Sequence, residues 1–164
     1  MSKFEKLQPW IGLVCRLTLG GVLFVAGYLK VDKLEVSQMA VRSYELLPIP
    51  IANFLGQTLP FFEVVIGLLL ILGAATRAVA ALGGFTMFIF IIAIGQAWAR
   101  GLNIDCGCFG GGGTVAPGET RYLQEILRDA GLVAMALFLL RYPVSKFSID
   151  KAPKQSNAGD TEQR

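Results

Sequence analysis

The sequence predicts an all-α integral membrane protein, a four-helix transmembrane bundle with a short interfacial helix between helices 1 and 2. Three observations predict it. Four apolar runs each approach the ~20 residues that cross a hydrocarbon core about 30 Å thick. Hydrophobic residues fill 54% of the 164 positions and charged residues only 16%, against roughly 25% in soluble domains. The positive residues sit mostly at the ends of the apolar runs, where they anchor and orient helices. The net charge of +3 therefore speaks for a lipid bilayer as the surroundings and against nucleic acid as a partner.

The first run, Trp10 to Leu29, follows a leader containing Lys3 and Lys6. Its length, its end in Tyr28-Leu29-Lys30 without a small-residue cleavage pattern, and the spans that follow exclude a signal peptide. The second run extends from about Leu59 to Ala75, with Pro60 setting its first turn and Arg77 closing it. The third covers about Val79 to Ala99 and stops at Arg100-Gly101. The fourth, about Tyr122 to Leu140, is the least apolar, since its first turns carry Glu125, Arg128 and Asp129.

Between the first two runs, Val36, Met39, Ala40, Ser43 and Leu47 fall near helical spacing, as expected of a short helix lying in the membrane interface. Pro48 and Pro50 end it. The segment from Asn103 to Gly113 has no periodicity and many glycines, so it is read as a loop. Residues 1–144 then form one transmembrane domain, and the polar residues 145–164 a disordered cytoplasmic tail. An even number of spans puts both termini on one side. That side collects Lys3, Lys6, Arg77, Arg141, Lys146, Lys151 and Lys154, against Lys30, Lys33, Arg42, Arg100 and Arg121, with Arg128 close behind. The excess orients the termini to the cytoplasm of a cell membrane and the loop at 103–113 outward, where disulfides persist.

With no histidine and three cysteines, thiols and carboxylates are the available chemistry. Cys106-Gly107-Cys108 is the candidate redox centre. Two thiols separated by one glycine can close a ring only if the backbone bends freely, which Gly107 permits. Such a ring lies near the limit of disulfide geometry, and a strained, exposed disulfide exchanges rather than staples. The alternatives are a fixed loop clip or two thiols without function. Zinc is disfavoured, because two thiolates, no imidazole and only Asp105 nearby fall short of four ligands. Cys15 is read as a packing residue. Arg16 either snorkels to the interface or pairs within the bundle.

Glu63 lies a turn inside an apolar helix, where a carboxylate is costly unless it faces a partner or a water-filled cavity. At 1.5 Å per residue, Arg128 lies at a similar depth, and Lys30 and Gln96 end their helices nearby. Glu63, Arg128, Lys30 and Gln96 are therefore expected to form an intramembrane polar cluster beneath the cysteine loop. The cluster either clasps helices or tunes thiolate formation and passes protons. The sequence lacks a phosphate-binding glycine motif before a helix and histidine haem ligands, so no cofactor is expected.

Arg16, Gly20-Gly21-Val22-Leu23-Phe24, Gly27-Tyr28-Leu29-Lys30, Tyr44, Pro60-Phe61-Phe62-Glu63, Gly67, Gly73 and Cys106-Gly107-Cys108-Phe109-Gly110 occur in order. With them the chain resembles the methylamine-utilisation MauE family, related to the DoxX-like small membrane proteins, from about Trp10 to Arg141. The resemblance implies a four-helix membrane protein that assists production of methylamine dehydrogenase, an extracytoplasmic enzyme dense in disulfides. It also implies work beside a thioredoxin-like partner. The expected function is membrane thiol-disulfide exchange, with Cys106 and Cys108 passing electrons to or from an extracytoplasmic thioredoxin-like protein or a disulfide-rich client. The alternatives are a non-catalytic membrane anchor or assembly subunit, and a quinone-linked electron carrier.

Overall fold

The computed structural model of the protein describes residues 3–143 together with Ser145, Ser148 and Ile149. Five helices and one small hairpin follow in order: α1 (Lys3–Val31), α2 (Leu34–Ser43), α3 (Ile49–Leu72), α4 (Thr76–Ala99), β1 (Ile104–Asp105), β2 (Gly113–Thr114) and α5 (Tyr122–Arg141). Three of the helices, over Leu7–Val31, Ile49–Leu72 and Thr76–Ala99, are long and apolar enough to cross a membrane. Their polarity runs opposite to that of a water-soluble domain. Val14, Val25, Phe54, Val65, Phe85, Phe88 and Ile92 face outward, whereas Arg16, Lys30, Glu63 and Thr76 are buried. A bilayer solvates the first set, and only partners within the protein satisfy the second.

Helix α1 packs on α3 and α5, and α4 packs on α5 and α3, so the four long helices close a ring. Its core holds Leu19, Leu23, Ile66, Leu70, Met87, Leu132, Ala136 and Leu139. Small residues bring α1 and α3 together. A Cβ on Gly20 would lie 2.8 Å from the Leu70 side chain, and one on Gly67 2.5 Å from the Phe24 backbone, the close approach typical of helix pairs in membranes.

The second apolar helix starts ten residues earlier than expected, at Ile49 rather than Leu59. Pro48 is its N-cap and Pro50 sits in its first turn, while Pro60 lies inside the helix. Asn53, Gly56, Gln57 and Thr58 dilute the hydropathy of this first half, which masks it in the sequence. Its role is to seat α2: a Cβ on Gly56 would come within 2.5 Å of the Gln38 Cα. The buried face of α2 is accordingly Ser37 and Ala40, and Met39, expected on the apolar face, is exposed.

The α3–α4 turn and the chain beyond α5 share one end of the molecule. There Arg16 Nη1 donates to Ser145 Oγ at 2.9 Å, and Ser148 Oγ donates to the Gly73 carbonyl at 2.8 Å. Arg16 is thus held within the protein, 1% exposed. Of the expected tail at 145–164, Ser145, Ser148 and Ile149 are described, and the rest lies outside the described residues. The cysteine loop occupies the opposite end, beside α2 and the end of α1.

Candidate functional site

The segment between α4 and α5 is a two-stranded antiparallel hairpin, with Ile104 opposite Thr114 and Asp105 opposite Gly113. Cys106-Gly107-Cys108 begins its tip. Asp105 Oδ1 accepts the Gly107 N–H at 2.8 Å, which turns the chain immediately after β1. Gly107 has φ +71° and rests on α2, where an added Cβ would lie 2.5 Å from that of Ala40. No other residue type meets both conditions without strain.

Two tyrosines tie the hairpin to the helices. Tyr44 Oη donates to the Cys106 carbonyl at 3.1 Å. Tyr122 Oη donates to the Leu102 carbonyl at 2.5 Å and accepts the Ile104 N–H at 3.0 Å. Burial above all, and then the two nearby thiols, hold the Tyr44 phenol far above its usual range, so it remains a donor.

Cys106 and Cys108 are both free thiols in different surroundings. Cys106 is half-buried and lines an open cavity of ≈ 370 Å³ with Arg121, Gln124, Glu125 and Arg128. Cys108 is buried and lines an inner cavity of ≈ 10 Å³ with Glu63, Phe90, Arg128 and Asp129, a volume about that of one water probe. The Cys108 N–H points at Cys106 Sγ, 3.2 Å away. The adjoining Cys108 thiol and burial push the Cys106 thiol well above the ordinary thiol range. Arg128 is a cation on the wall of the inner cavity that Cys108 lines.

The expected polar cluster divides. Glu63 pairs across α1 and α3 with Lys30, Nζ to Oε2 2.5 Å, both buried, and Lys30 Nζ stands 6.0 Å from the centre of the Phe90 ring. Arg128 bonds its own neighbour Asp129 at 2.8 Å, which is 0% exposed, and lies 5.0 Å from the Phe109 ring centre. Glu63 and Arg128 nevertheless face the same inner cavity beneath the cysteine loop. Gln96 lies elsewhere, donating to the Tyr44 carbonyl at 3.2 Å beside Arg100 at 3.1 Å. Arg100 also binds Glu45 at 2.8 Å.

Sequence reasoning missed Glu125, Asp129 and Tyr44. Glu125 joins Arg128 and Asp129 at three- and four-residue spacing, the signature of one helix face, and that spacing is the signal that finds them. Donor atoms of Asp105, Cys106 and Glu125 all lie within 4.8 Å of one another. One thiol and two carboxylates without imidazole are one donor short of a closed zinc set.

A family model described as "Methylamine utilisation protein MauE" matches residues 8–142. No curated protein and no solved structure matches the chain.

Proposed function

This chain belongs to the MauE family of methylamine utilisation proteins, a membrane family, and we propose that it exchanges thiols and disulfides at the outer face of the cell membrane through Cys106 and Cys108. The observation that carries the reading is the asymmetry of the two thiols. Cys106 opens on a cavity that an incoming disulfide can reach, and Cys108 sits behind it against Arg128. One accessible and one shielded sulfur, a single residue apart in the chain, suit the two successive attacks of disulfide exchange.

In this reading α5 is a fourth span and α2 lies in the interface. Support comes from the direction of the α5 charges: Asp129 is buried and Glu125 and Arg128 are half-buried, while Leu123, Leu127 and Leu137 face outward. Turned inward, those charges do not meet lipid. Both termini are cytoplasmic, from the excess of lysine and arginine on that side. The partner is an extracytoplasmic thioredoxin-like protein or a disulfide-rich client.

The experiment is mixed-disulfide trapping in membranes. A Cys108→Ser variant leaves Cys106 joined to its partner, visible as a dithiothreitol-sensitive adduct of an extracytoplasmic protein. The Cys106→Ser/Cys108→Ser variant forms no adduct and loses function. Full function in that double variant would instead assign the protein to anchoring or assembly.

A further inference from the structure

We propose that Glu125 is the proton acceptor for Cys106, making Cys106 the cysteine that attacks first and Cys108 the one that resolves. The inference rests on the exchange reading and adds a third catalytic residue to it. Glu125 projects from the first turn of α5 into the open cavity that Cys106 lines. Its carboxylate lies within 4.8 Å of the Cys106 sulfur. Glu125 Oε2 is shut off from solvent and holds no hydrogen bond among the described residues.

The surrounding charges fit the assignment. Arg121 and Arg128 line the same cavity, so a second positive charge remains near Glu125 when Arg128 is engaged by Asp129. Asp105 Oδ1 is engaged by the Gly107 N–H, and Tyr44 is a donor to the Cys106 carbonyl. The Cys108 N–H, 3.2 Å from Cys106 Sγ, is placed to stabilise the thiolate once the proton leaves. A thiol held protonated by burial and by its neighbour thiol needs such an acceptor at neutral pH.

The steps balance as follows. Cys106 Sγ–H gives its proton to Glu125, and the thiolate attacks one sulfur of a partner disulfide, forming the Cys106–partner bond and releasing the other partner sulfur as a thiolate. Cys108 Sγ gives up its proton and attacks Cys106 Sγ, forming the Cys106–Cys108 bond and releasing the second partner sulfur, which takes up a proton. The protein dithiol is oxidised to a disulfide, the partner disulfide is reduced to two thiols, and the two protons given up by Cys106 and Cys108 end on the two partner sulfurs. In reverse, Glu125 returns its proton to Cys106.

The test uses full-length Cys108→Ser protein in detergent with a chelator present and 2-hydroxyethyl disulfide as the probe, following adduct formation at Cys106 from about pH 6 to about pH 10, across the thiol range. Glu125→Gln should slow the reaction at neutral pH on the order of 10²-fold, and the deficit should narrow toward the alkaline end as hydroxide takes over as the base. Glu125→Asp should recover part of the loss. A carboxylate that only repels the thiolate predicts the opposite sign, a faster Glu125→Gln. A rate that is faster or unchanged at neutral pH overturns the inference while leaving the exchange reading intact. No adduct in the parent at any pH overturns both. If Glu125→Gln does not fold, Glu125→Asp and the parent pH profile decide: a parent rate that tracks only thiol ionisation, matched by Glu125→Asp, overturns the inference.

Discussion

Lys30 and Glu63 form an ion pair 2.5 Å long, buried between α1 and α3 at the end of the molecule that carries the cysteines. Breaking a buried pair leaves an uncompensated charge, typically at a cost of ~3–5 kcal/mol, whereas removing both partners is often neutral. Lys30→Met and Glu63→Gln are each expected to lower thermal stability in detergent, and the double variant to recover most of the loss. A double-mutant cycle checks it, since additive losses would deny any coupling.

Arg128 is paired with Asp129 and lines the inner cavity with Cys108, and in the proposed exchange these two roles separate experimentally. Arg128→Gln alone strands the buried Asp129 and is expected to reduce folded yield. Arg128→Gln/Asp129→Asn removes both charges and should fold, yet resolve slowly because Cys108 has lost its cation. The measurement is accumulation of the Cys106 mixed disulfide in a protein that still has Cys108. Resolution at the parent rate would remove Arg128 from the mechanism.

Stability should fall in alkali, and the sign follows from two groups outside the spans. The Cys106 thiol and the Tyr44 phenol are both raised above their ordinary values of 9.0 and 10.0. Above each ordinary value the unfolded chain ionises while the folded protein keeps its proton. Their contributions are therefore fully present below about pH 9 and about pH 10 respectively, and are lost as pH rises toward the folded values. Melting temperatures measured from about pH 7 to about pH 11 should decline with pH, and Cys106→Ser or Tyr44→Phe should each flatten the decline. A steeper decline in either variant would contradict the assignment.

Hydropathy makes α1 and α4 legible in the sequence, because lipid demands an uninterrupted apolar surface and the charges at Lys30 and Arg100 mark where it ends. The start of α3 is not legible: Pro60 looks like a first-turn proline, and nothing local reveals that Gly56 lies under α2. Depth is readable from 1.5 Å per residue, and it places Glu63, Lys30 and Arg128 near one level. Azimuth depends on how α1, α3 and α5 rotate against each other, so Arg128 bonds Asp129 and Lys30 takes Glu63. Cys106 and Cys108 stand out by spacing. Tyr44 does not, because its contact with the hairpin is long-range, and the spacing that puts Glu125 on one helix face with Arg128 and Asp129 does not reveal that this face meets Cys106.

The central claim is that Cys106 and Cys108 form a reversible disulfide, and their reduction potential tests it most directly. Purified protein in detergent would be equilibrated against glutathione and dithiothreitol buffers, alkylated and weighed to give the oxidised fraction at each poise. An exchanging pair should titrate between about −120 and about −270 mV, in the span of known oxidoreductases, whereas structural disulfides resist reduction to below about −300 mV. The account predicts a single two-electron transition in the first range, lost in Cys108→Ser. Thiols that stay reduced at every poise, or a bond inert in strong reductant, would contradict it.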